Sequence, residues 1–86
     1  MSTAQYTQCQ AGVWTRLYSG PSFGFVYVWA AVPGESVRYK AYSAAPPWYF
    51  QDSATIGAKT AVGFGLPTLY VVFYVNPERN GLFMGS

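Results

Sequence analysis

Residues 66–81 read LPTLYVVFYVNPERNG, and the fold turns on what the middle of this stretch does. Residues 69–76 carry no charge, and Asn76 is the sole member of that run that is neither apolar nor aromatic. A run of this length, bounded by Pro67 and by Asn76-Pro77, has the size of a strand and is too short for a helix of ordinary length. Alternate side chains of a strand point to opposite sides. Leu69, Val71, Phe73 and Val75 therefore share one face, and Tyr70, Val72 and Tyr74 the other. Neither face is suited to water, so both need cover.

The same two-residue period, punctuated by Gly, Pro, Ser and Asn, fits the whole chain, and an amphipathic helix fits none of it. Strands are expected over residues 13–18, 23–32, 36–43, 48–51, 54–62, 68–75 and 82–84. Gly57 is read as a bulge within the fifth. The turn at 76–81, with its Asn80-Gly81 pair, is read as a hairpin that returns the last segment beside the previous one. The expected fold is all-β, a small antiparallel sandwich or barrel of six to seven short strands. It spans residues 1–86 as one domain, with 1–11 as a loose N-terminal segment.

The strands differ in kind. In 36–43, Val37, Tyr39 and Ala41 alternate with Arg38, Lys40 and Tyr42, the pattern of a strand packed on one side and wet on the other. In 23–32, Phe23, Phe25, Tyr27 and Trp29 oppose Val26, Val28 and Ala30, so that strand, like 68–75, is apolar on both faces. One sandwich has one interior. The surplus face calls for loops, a ligand or another copy of the chain, and charged residues are only 9% of the sequence, which leaves little to keep copies apart. A homo-oligomer is expected, with Phe23, Phe25, Tyr27, Trp29, Tyr70, Val72 and Tyr74 at its interface.

Composition removes several classes of function. At 20% aromatic, the chain is not disordered. Its two long uncharged windows, 17–34 and 60–77, are broken by Ser19-Gly20-Pro21-Ser22 and by Gly63, Gly65 and Pro67, so neither is a membrane helix. The N-terminus has no basic stretch followed by an apolar one, as a secretory signal would. Cys9 is the single cysteine, which rules out an internal disulfide and leaves localisation open.

Catalysis finds little to work with. There is no histidine, and the carboxylates are Glu35, Asp52 and Glu78. Cys9 has no histidine to activate it. No cluster has the spacing of a metal site, and Gly63-Phe64-Gly65 precedes a strand where a phosphate cradle would precede a helix. No enzyme, metal or cofactor is expected.

Binding is the better match. VRYKAY, residues 37–42, interleaves Arg38 and Lys40 with Tyr39 and Tyr42. Alternation sends Tyr39 to the far side, and five cations in all give little electrostatic affinity for nucleic acid. Sugars pack their C–H faces on aromatic rings and take hydrogen bonds from polar neighbours. Trp14, Tyr18, Tyr42, Trp48 and Tyr49 lie near expected turns, with Arg16, Gln51, Asp52, Asn76 and Asn80 as polar partners. The sequence thus points to a non-enzymatic, self-associating, lectin-like module that binds a glycan through loop aromatics. The alternative is a coat, tail or particle subunit whose aromatics are subunit contacts, and a third reading is a membrane-active β oligomer.

Overall fold

The computed structural model describes residues 5–43, 48–64 and 70–86. Eight strands lie in these residues: β1 (Thr7–Cys9), β2 (Thr15–Pro21), β3 (Phe25–Ala30), β4 (Glu35–Ser43), β5 (Trp48–Ile56), β6 (Thr60–Gly63), β7 (Tyr70–Pro77) and β8 (Gly81–Gly85). No helix occurs among the described residues. The strands form two antiparallel sheets of four, in the orders β1-β8-β3-β6 and β2-β7-β4-β5, packed as a small sandwich.

The residues of the opening stretch explain β7. Val71, Phe73 and Val75 are fully buried and meet Val26, Val28, Phe83 and Cys9 in one core, joined by Val37, Tyr39, Ala41, Ile56, Val62 and Phe64. Burying a ring such as Phe73 contributes about 2 to 3 kcal/mol relative to leaving it wet. Leu69 lies outside the described residues. Tyr70, Val72 and Tyr74 face outward. β7 holds both of its neighbours, β2 and β4, inside its own sheet, so its inner face is the middle of the core.

That central position also overrides the hairpin expected at 76–81. With both edges of β7 taken, the chain after Asn80 cannot fold back beside it. It crosses the sandwich, and β8 slots between β1 and β3 in the opposite sheet. The Glu78 amide donates to the Ser36 carbonyl at 3.1 Å, extending the β4–β7 ladder before the chain leaves.

Gly57 has a similar role. In place of a bulge inside one long strand, it ends β5 and starts the crossing to β6 in the other sheet. Its carbonyl accepts from the Ala30 amide at 3.2 Å, and its amide donates to Thr60 Oγ1 at 2.8 Å. β5 itself runs unbroken through Asp52-Ser53, because each of its residues pairs with β4 in continuous register from Trp48↔Ser43 to Ile56↔Glu35. Residues 7–9, expected to be loose, pair with β8 and place Cys9 in the core.

One register shift decides which side chains reach the outer face of the β2-β7-β4-β5 sheet. β2 pairs Arg16 with Tyr74 and then Tyr18 with Phe73, so Leu17 is an extra residue at a bulge. Without it Tyr18 would point outward with Arg16. With it, Tyr18 turns inward against the core, and its hydroxyl donates to the Pro21 carbonyl. The expected turn at residues 19–22 is accordingly displaced, since β2 continues to Pro21, with Gly20 at φ +153° where other residues are strained.

Candidate ligand-binding face

The outer face of the β2-β7-β4-β5 sheet gathers rings and cations. Ladder partners share a face, so Arg16, Tyr74, Lys40 and Gln51 form one row across all four strands. The next row, toward the other end of the strands, is Ser19, Val72, Tyr42 and Tyr49. On the opposite side of the Lys40 row lies Arg38, with Ser53 and Asn76 as its partners.

Lys40 is the hub. Its Nζ stands 4.4 Å from the centroid of the Trp14 ring, 5.2 Å from that of Tyr74 and 5.7 Å from that of Tyr42. The Arg38 guanidinium carbon lies 5.5 Å from the same Trp14 ring. Trp14, which precedes β2, is thus folded over two cations of β4 and held there by the attraction of a cation for a ring face. Tyr42 packs on Tyr49 at 5.2 Å and meets Tyr74 edge-on at 5.9 Å. The Tyr49 hydroxyl donates to Gln51 Oε1. Tyr49 is 51% exposed and Tyr42 40%, so both rings are open to solvent.

The carboxylates stand apart from this array. Glu35 is buried on the inward side of β4, and its Oε2 lies 3.3 Å from Arg79 Nη2. Asp52 pairs with Tyr39, whose ring is in the core, and its Oδ1 accepts from the Ser53 amide at 2.8 Å. Glu78 flanks Arg38 at the far margin, lining an open depression of about 390 Å³ with Ser36, Ser53 and Thr55.

Of the residues expected to bind ligand, the structure brings Trp14, Arg16 and Tyr49 to this one face. Tyr18 and Asp52 lie on the core side of their strands. Asn80 sits in the β7–β8 connection, where its Oδ1 accepts from the Ala11 amide at 2.8 Å. The backbone of Trp48 opens β5, and its side chain lies outside the described residues. Tyr42 and Gln51, also expected near a ligand, join Trp14, Arg16 and Tyr49, and Lys40, Arg38 and Tyr74, which were not among the expected sugar-binding residues, complete the array. Alternation in VRYKAY places Arg38, Lys40 and Tyr42 together, but that Trp14 and Tyr74 close on Lys40 depends on cross-strand register.

The expected interface residues fall into two groups on opposite sides of the sandwich. Tyr70, Val72 and Tyr74 belong to the face just described. Phe25, Tyr27 and Trp29 line the outer face of the other sheet, in a ladder with centroid separations of 5.1 and 6.1 Å. Lys59 Nζ lies 4.5 Å from the Tyr27 ring and 5.6 Å from Trp29. Phe23, at the β2–β3 turn, is 86% exposed.

Among the described residues no group of His, Cys, Asp and Glu could hold a metal. Burial raises the Cys9 thiol above its ordinary 9.0, with a hydrogen bond from the Thr15 side chain opposing part of the rise. Burial also raises the Tyr39 phenol above 10.0, aided by the charge of Asp52. No protein-family model matches the chain, and no curated protein matches its sequence.

Proposed function

We propose that the protein is a non-enzymatic binding module that holds a glycan on the outer face of the β2-β7-β4-β5 sheet and self-associates through the outer face of the other. The observation that carries this reading is the exposed Tyr42–Tyr49 pair bordered by Lys40 and Gln51, with Arg16 in the Lys40 row two strands away. Two tilted rings offer apolar walls for the C–H face of a sugar, and the surrounding ammonium, guanidinium and amide groups supply donors for its oxygens. The face is open, as suits a chain laid across it.

Self-association is assigned to β3. Phe25, Tyr27 and Trp29 form an aromatic strip beside the exposed Phe23, edged by the Lys59 ammonium, and a second copy related by a two-fold axis would cover it with the same strip. This leaves the ligand face free on both outer sides of the dimer.

The test is a glycan array followed by fluorescence titration of any sugar retained. Binding with a change in aromatic emission, lost in Tyr49→Ala, is the expected result. An array with no retained sugar contradicts the reading.

A structural subunit is the second reading, favoured by one observation. The aromatic faces lie on opposite sides of a body measuring 34 × 33 × 17 Å, so copies could stack front to back without closing. Light scattering separates the two: assemblies that grow without limit as concentration rises favour stacking, and a fixed dimer favours the binding module.

A further inference from the structure

We infer that the ligand is an acidic polysaccharide in which every second sugar carries a carboxylate, bound across the strands with its acids on Arg16 and Lys40. This rests on the reading of the face as a glycan site and names the chemistry of that glycan.

Charge is the first argument. Arg16, Arg38 and Lys40 are three of the chain's five cations, and all three project from one sheet face. None of them is ion-paired among the described residues, where the ion pair formed is that of Arg79 with Glu35. Glu35 and Asp52 turn to the other side of their strands, and Glu78 stands at the margin. A face whose charged groups are cations, with a carboxylate only at its margin, is complementary to a ligand that carries negative charge.

Spacing is the second argument, and it separates acidic glycan from single-stranded nucleic acid. Arg16 on β2 and Lys40 on β4 occupy the same row with Tyr74 of β7 between them. Two strand intervals place their backbones about 10 Å apart. That is close to the length of a disaccharide, so consecutive acids of an alternating polymer would meet consecutive cations. Phosphates of an extended nucleic acid recur at a shorter interval. The rings add to this. Tyr42 and Tyr49 are 5.2 Å apart and tilted by 44°, which leaves no slot for a base to stack between them. Lys40 already occupies the space over Trp14 and Tyr74.

The experiment uses the full chain and three probes of matched length: an alternating uronic acid–hexosamine oligosaccharide, the same oligosaccharide with its carboxyls reduced to alcohols, and a single-stranded oligonucleotide. The acidic oligosaccharide should bind at least tenfold tighter than the reduced one, and its affinity should fall as salt rises from about 0.05 to about 0.5 M. Arg16→Gln and Lys40→Gln should each weaken it about fivefold, the scale of one close charge contact in water. Lys59→Gln, on the opposite face, should leave it unchanged, which also controls for general loss of positive charge. Equal affinity for the acidic and reduced forms overturns the acidic assignment while leaving the glycan reading in place. Binding of neither overturns both, and tighter binding of the oligonucleotide overturns both in favour of nucleic acid.

Discussion

The ammonium of Lys40 stands 4.4 Å from the centre of the Trp14 ring, joining the segment before β2 to a strand two places away in the sheet. This contact fixes one border of the aromatic outer face of that sheet. A cation over a partly desolvated indole is worth about 1 kcal/mol. A double-mutant cycle on Lys40→Met and Trp14→Leu, followed by urea unfolding, should return a coupling of that size. Strict additivity of the two changes would show that the contact does not persist in solution.

Gly20 should tolerate alanine poorly. Its φ of +153° is strained for other residues, and an added Cβ would lie 3.0 Å from Tyr18 Oη. The expected loss is about 1 to 3 kcal/mol. Gly34→Ala, at φ +97° with nothing within 4 Å of the new Cβ, isolates the backbone part of that cost. Thermal unfolding of the two variants checks the order, with Gly20→Ala the less stable.

Stability should fall at alkaline pH. Cys9 and Tyr39 both have folded-state values raised above the ordinary 9.0 and 10.0, chiefly by burial. The unfolded chain therefore loses these protons first, and base favours unfolding. The contribution is fully present below the unfolded values and is lost as pH climbs through the folded ones. Urea midpoints should hold steady to about pH 8 and decline beyond 9.0, where the thiol of the unfolded chain begins to ionise. Cys9→Ala should move the onset of the decline toward 10.0, where Tyr39 takes over. A midpoint unchanged through that window contradicts the burial of both groups.

Placing a charge in the β3 strip should separate copies. Tyr27→Lys sets a second ammonium beside Lys59, and an uncompensated charge in a covered apolar face costs several kcal/mol. Sedimentation velocity should show a dimer for the native chain and a monomer for the variant, with glycan binding retained. Tyr74→Glu, on the other face, should have the reverse effect, keeping the dimer and weakening binding of the acidic ligand. A native chain that stays monomeric at high concentration removes the proposed interface.

The all-β class was legible because period-two patterning is local: the alternation of Val37, Tyr39 and Ala41 with Arg38, Lys40 and Tyr42 can be read from the residues alone, and β4 follows it. Partnership between strands was not. Asn80-Gly81 has good hairpin chemistry, yet β8 goes to the other sheet because β2 and β4 already fill both edges of β7, a fact of topology with no local signature. The bulge at Leu17 is similar. It reverses Tyr18 while leaving Arg16 outside, and only pairing with β7 reveals it. That two strands are apolar on both faces is visible in their alternation, but which side each outer face occupies, and that the two are opposite, depends on the sheet order.

The central claim, that ligand sits on the outer face of the β2-β7-β4-β5 sheet, is tested most directly by mapping amide and side-chain NMR shifts during titration with the acidic oligosaccharide. Saturable shifts clustered at Arg16, Lys40, Tyr42, Tyr49 and Tyr74, with Phe25, Tyr27 and Trp29 unmoved, are predicted. Shifts confined to the β3 face, or none at a large excess of sugar, would contradict it.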